Sequence, residues 1–176
     1  MARDTPRPFF ENLVTLSLVI CILLALGAPL ASAQDRGPVT NLPIPRFVTL
    51  KASEANARRG PSLSHRIDWV FKRRNMPLEV YGEYENWRRV RDLDGVGGWI
   101  HFSLLSGVRY VMVTKDLAAL HARAEQDAQI VARLELNVLA KLDACTPEWC
   151  KVKTAGYSGW IAKADIWGVY DTELRD

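Results

Sequence analysis

Apolar and polar positions alternate along Leu78-Glu79-Val80-Tyr81, the period-two pattern of a half-buried strand. Phe47 to Leu50, Ile67 to Phe71, Trp87 to Arg91 and Trp99-Ile100 are further short strand candidates, each bounded by turn chemistry. Asn75-Met76-Pro77 and Glu85-Asn86 read as turns, and Asp94-Gly95, extended by Val96-Gly97-Gly98, reads as a hairpin. Ala55 to Ser64 holds Asn56, Gly60, Pro61 and several Ser and Arg residues, and reads as a long irregular loop. Phe102 to Leu105 suits a single helical turn. In the second half, Tyr110 to Val113, Ile130 to Leu134, Val138 to Leu142, Trp149 to Lys153 and Trp160-Ile161 read as strands, with turns at Asn137 and Ala155-Gly156.

The two halves repeat one another. Arg46-Phe47-Val48 matches Arg109-Tyr110-Val111, Ala57-Arg58 matches Ala122-Arg123, Trp87 matches Trp149, and Gly98-Trp99-Ile100 matches Gly159-Trp160-Ile161. Ser106-Gly107 and Trp167-Gly168 close the two copies. Landmarks in the same order at a nearly constant offset mark a duplicated module. Ala118 to Leu136 taken alone has the spacing of an amphipathic helix, but its counterpart in the first copy contains Gly60-Pro61, which argues against one. Five short strands per copy predict an all-β fold of two tandem small β-barrels, over 46–108 and 109–170. Units of this size bury marginal cores, so packing the two together would help. Residues 34–45, rich in Pro and Gly, are expected to form an extended linker, and 171–176 a tail.

Ahead of the repeats, Arg3 and Arg7 precede an apolar run from Leu13 to Leu26, and Ala31-Ser32-Ala33 supplies small residues at a cleavage position. This pattern predicts a signal peptide over 1–33 that is cleaved, leaving an exported, periplasmic or extracellular protein with no membrane segment of its own. A retained anchor is the alternative; the run is short for one and ends in Gly27 and Pro29. Cys21 follows bulky Ile20 inside the run, a poor setting for lipidation. The net charge is +3, mildly basic, which favours weak attraction to anionic polymers and gives no indication of nucleic acid. Arg58-Arg59, Lys72-Arg73-Arg74 and Arg88-Arg89 with Arg91 are local basic clusters, which usually form a solvated face. Of the three cysteines, Cys145 and Cys150 lie beyond the signal peptide, around Pro147. Export favours a disulfide between them, a metal site fails on ligand count, and two free thiols are the remaining alternative.

Asn56-Ala57-Arg58-Arg59-Gly60-Pro61, Trp87-x-x-Val90 and Gly98-Trp99-Ile100 together resemble the signature of bacterial SH3-like domains. The second copy keeps Ala122-Arg123, Trp149-x-x-Val152 and Gly159-Trp160-Ile161, but lacks the Gly-Pro and has His121 in place of Asn56. The Cys145–Cys150 hairpin and the Ile166-to-Tyr170 ending are similar to a secreted subgroup with tandem SH3-like domains. The resemblance implies two SH3-like barrels and a binding role, since such domains commonly target cell walls. It also implies a ligand groove lined by Trp87 in copy one and Trp149 in copy two, bordered by His101 and Phe102.

Trp87 and Val90 lie three apart in a strand and cannot share a face, so a core Val90 turns Trp87 outward with Arg89 and leaves Arg88 to pair or snorkel. An outward aromatic is either a stacking platform for ligand or filler for a loop or the other repeat. Tyr84, Trp87, Arg89, His101, Phe102 and Trp149 are the candidate ligand residues. Trp99 and Trp160 are expected to close the barrel cores, and Arg58 to brace its loop. No enzyme is expected. The two late cysteines are expected to bond each other, and His65, His101 and His121 fit no metal-protease spacing. Glu83, Glu85, Asp92 and Asp94 flank hairpin turns and more simply cap them than form a glycosidase pair. No cofactor or metal is implied. The expected role is a monomeric binding module for peptidoglycan or a wall peptide; the alternative is a scaffold subunit docking another envelope protein.

Overall fold

A computed structural model describes residues 35–176; the expected signal peptide, including Cys21, lies outside the described residues. The alternating segments form fourteen short strands in two sets of seven. The first set is β1 (Arg46–Leu50), β2 (Ala55–Arg58), β3 (Ile67–Phe71), β4 (Pro77–Tyr84), β5 (Trp87–Arg91), β6 (Gly97–His101) and β7 (Leu105–Ser106). The second is β8 (Tyr110–Val113), β9 (Ala118–His121), β10 (Ile130–Leu134), β11 (Leu139–Cys145), β12 (Trp149–Thr154), β13 (Tyr157–Ala162) and β14 (Ile166–Trp167). The strand orders β3-β2-β6-β5-β4-β1-β7 and β10-β9-β13-β12-β11-β8-β14 are the same topology, so the sequence repeat is a structural one. Every pairing is antiparallel.

Neither sheet closes into the barrel expected from sequence, because the outer strands β3 and β7, like β10 and β14, do not pair with each other. The seam strands are too short to close the ring: β7 and β14 have two residues each, and β2 meets β6 at one register pair, Arg58 with Trp99. Ala55–Arg58, expected within a loop, is strand β2; its alternation is carried by small residues, Ala55 and Ala57, both buried. Ala118 and Leu120 do the same in β9.

Each sheet wraps its own core. Leu50, Leu78, Val80, Val90 and Ile100 centre the first, and Val111, Leu120, Leu142, Cys150, Val152 and Ile161 the second. Trp99 and Trp160 do not belong to these cores and are half-buried; the adjacent Ile100 and Ile161 take that place with no exposure. Strand parity is the reason, since Ile100 pairs with inward Arg88 while Trp99 pairs with outward Arg89. The glycines of the Gly-Trp-Ile motifs serve close approach. A Cβ on Gly98 would meet the Arg58 carbonyl oxygen at 2.7 Å, and one on Gly159 the His121 carbonyl oxygen at 2.6 Å.

Residues 35–45 are not an extended linker. Gly37 and Leu42 hydrogen-bond, Arg36 bridges Pro43, and Asn41 turns the chain at φ 56°. The hook fastens to the first sheet through Glu83, whose carboxylate accepts from the Val39 and Thr40 amides and the Thr40 hydroxyl. A buried carboxylate demands such partners, and the hook supplies them. The tail is likewise held: Arg175 exchanges backbone bonds with Cys145, and Lys163 donates to the Asp171 and Glu173 carbonyls.

The two lobes meet where β1 and β4 face β8 and the Trp167-to-Tyr170 stretch. Phe47 packs edge-on to Trp167 at 5.1 Å and against Tyr170 at 4.6 Å, and the Tyr110 amide donates to the Thr49 hydroxyl. No helix among the described residues is long and apolar enough to cross a membrane.

Candidate aromatic groove

Trp87 opens β5 and pairs across the sheet with Tyr84 on one side and His101 on the other. Its parity with Arg89 and Arg91 places it on the outer sheet face, opposite Val90. The loop between β2 and β3 then folds beside it, and Trp87 keeps only 8% of its surface. The loop is braced by Arg58, whose guanidinium donates to the Leu63 carbonyl at 3.0 Å and the His65 carbonyl at 2.7 Å. Between loop and sheet lies a groove of about 210 Å³ lined by Glu54, Asn56, Arg58, Leu63, Trp87, His101 and Leu104. The His101 ring meets Trp87 edge-on at 5.5 Å, and its Nδ1 is 2.8 Å from the Ser103 hydroxyl. The groove thus joins an aromatic surface to one carboxylate, one guanidinium and an imidazole, a set suited to holding polar chains with apolar faces.

The structure brings Trp87 and His101 together in this groove, sets Tyr84, Arg89 and Phe102 around it, and places Trp149 in the second lobe. Tyr84 is exposed beside Trp87 but does not line the groove. Arg89 is exposed one row along the sheet, its guanidinium 5.1 Å from the Tyr81 ring. Phe102, tilted against His101 with ring centroids 5.0 Å apart, turns to a neighbouring depression with Arg46 and Arg88. Arg88 is buried and neither snorkels nor stays free: its Nε is 3.6 Å from Glu83, and it donates to the Glu85 and Trp87 carbonyls. Burial pulls its guanidinium below its ordinary value, and Glu83 opposes that pull. Glu54, Asn56, Leu63 and Leu104 were not legible as groove residues, because their places depend on how the loop folds back.

The second lobe has a counterpart groove of about 470 Å³ beside Trp149. Trp149 is also nearly buried, and its edge-on partner, at 5.2 Å, is His121 from β9. The histidine has therefore changed strands: in lobe one it comes from β6, and Ala162 takes that position beside Trp149. Leu117, on the rim, is exposed with φ 52°, a left-handed conformation strained for a leucine. Cys145, at the end of β11, and Cys150, next to Trp149 in β12, are disulfide-bonded, so neither offers a thiolate.

The family model for bacterial SH3 domains matches residues 51–107 and 114–168, one match per lobe. Solved structures share a remote likeness. NlpC2 from Trichomonas vaginalis aligns at 13% identity and TM-score 0.34, over 73% of this chain and 50% of that one. NlpC1 from the same organism aligns at 15% identity and TM-score 0.33, over 78% and 47%. The chain spans about half the length of those proteins. No curated protein sequence matches it. With both lobes matched over most of their strands, the chain belongs to the bacterial SH3 domain family and carries that domain twice.

Proposed function

We propose that this protein is an exported, non-catalytic binding module that holds a segment of peptidoglycan or a wall peptide in the Trp87 groove. The observation that carries the reading is the groove itself: an outer-face tryptophan walled by an arginine-braced loop and edged by His101. Membership in the bacterial SH3 family, whose members commonly serve wall targeting, supports it. The Cys145–Cys150 bridge suits an oxidising compartment and supports export. The second lobe serves first as architecture, buttressing the first through Phe47, Trp167 and Tyr170.

Sedimentation with purified sacculi tests the reading. Wild type pellets with sacculi, and Trp87→Phe, which keeps the packing of a nearly buried ring, pellets less. Trp149→Phe pellets as wild type does. A wild-type protein that stays in the supernatant sinks the proposal. Crosslinking in cells that recovers one stoichiometric envelope protein and no wall fragments would replace it with a docking role.

A further inference from the structure

The outer face of the first lobe continues past the groove. Ile67, Arg58, Trp99, Arg89 and Gly82 are cross-strand neighbours in one row over β3, β2, β6, β5 and β4. Trp99 thus sits between two arginines, each about 5 Å away in strand spacing. A Cβ on Gly82 would lie 3.9 Å from Trp99 Cη2. To reach from β6 past β5 toward β4, the indole must lie along the sheet, where it is half-buried. Next to this row, Tyr81 is held by two guanidinium groups, Arg89 at 5.1 Å and Arg91 at 5.3 Å. Arg91 is ion-paired with Glu79, whereas Arg89 has no carboxylate partner among the described residues.

The second lobe has the same framework and keeps a tryptophan beside a cation, Trp160 paired with Lys151, but it has no aromatic residue at its bulge. Both lobes bulge at the equivalent point, between Val80 and Gly82 and between Leu142 and Ala144. The bulge residue is Tyr81 in lobe one and Asp143 in lobe two, where it pairs with Lys153 at 2.7 Å. The aromatic held between two guanidinium groups is therefore a property of lobe one and not of the fold.

We propose that this face is a second binding surface, distinct from the Trp87 groove, for a linear acidic polysaccharide. The partly exposed indole of Trp99 takes the C–H face of a sugar ring, and the unpaired Arg89 guanidinium beside it takes a carboxylate. The free charge of Arg89 and the net charge of +3 set the sign of the partner. The surface needs no ligand in the groove, so its failure and that of the wall-binding reading are separable.

Affinity electrophoresis of the full chain in gels containing polygalacturonate tests this, with neutral hydroxyethylcellulose and inorganic polyphosphate as comparison polymers. Wild type is retarded by polygalacturonate, less so at higher salt, and not by the neutral polymer. Arg89→Gln and Trp99→Ala each weaken retardation about fivefold, and Trp87→Phe leaves it unchanged. Arg89→Gln, at an exposed position, carries the test alone should Trp99→Ala fail to fold. The proposal is overturned by no retardation of wild type, by unchanged retardation in Arg89→Gln, or by loss in Trp87→Phe. Equal retardation by polyphosphate with Trp99→Ala indifferent also overturns it, leaving non-specific charge attraction.

Discussion

The hydroxyl of Tyr170, in the second lobe, donates to the carboxylate of Glu79, in the first, at 2.9 Å. Glu79 also pairs with Arg91, so the bond ties the lobe junction to the edge of the outer face of lobe one. Tyr170 packs on Phe47 at the same junction.

Tyr170→Phe keeps the packing and removes that bond, and it should cost about 1 kcal/mol in chemical denaturation. Burial first, and then Glu79, raise the Tyr170 pKa above its ordinary value. The folded state thus holds the phenolic proton more tightly than the unfolded chain. The associated stability is fully present below about pH 10, where an unfolded tyrosine titrates, and is lost as pH rises above that. Tyr170→Phe should flatten this alkaline decline in a pH series of melting temperatures.

Glu83 makes the opposite prediction at low pH. Burial alone would raise its pKa, but hydrogen bonds from Thr40, Arg46 and the Val39 amide outweigh it and hold the group at about 2, against an ordinary 4.5. Its contribution is present above pH 4.5 and lost as pH falls toward about 2. That contribution is about 3 kcal/mol at neutral pH. Glu83→Gln should remove most of the stability loss between those limits and release residues 35–43 to proteolysis at neutral pH.

Replacing Cys145 and Cys150 together with Ala opens a loop of separation 5. The expected loss is about 2 kcal/mol in thermal or denaturant unfolding. Because Arg175 pairs with Cys145, hydrogen exchange at the Arg175 amide should rise before the β12 core is affected.

Gly98→Ala drives a Cβ against the Arg58 carbonyl, and Gly159→Ala drives one against the His121 carbonyl. Each should cost about 1–3 kcal/mol, measured by denaturation. Gly98→Ala should also weaken sacculus binding, since the displaced strand carries Arg58 and its loop. Gly159→Ala should leave that binding intact.

Strand positions were readable because an alternating strand shows its buried face in the order of its residues. β1, β3, β4, β5 and β12 lie near where their apolar patterns place them. β2 was missed because alanine and asparagine carry too little hydrophobic contrast to mark a face. Parity correctly put Trp87 and Arg89 opposite Val90, but it does not report cover, and Trp87 is nearly buried beside His101. The same parity, applied to Trp99, would have turned it outward; its motif context suggested core instead.

By itself the sequence determined the duplicated module and its all-β character, because repetition and periodicity are local properties. Only the tertiary structure decided which tryptophans lie in a groove and which lie half-buried along the sheet. It alone showed that the proline-rich start is a hook on Glu83, that the lobes lock through Tyr170 and Phe47, and that the sheets stay open. Those outcomes depend on burial and pairing between segments far apart in the chain, and a buried carboxylate or a covered indole is defined by neighbours that local pattern does not name.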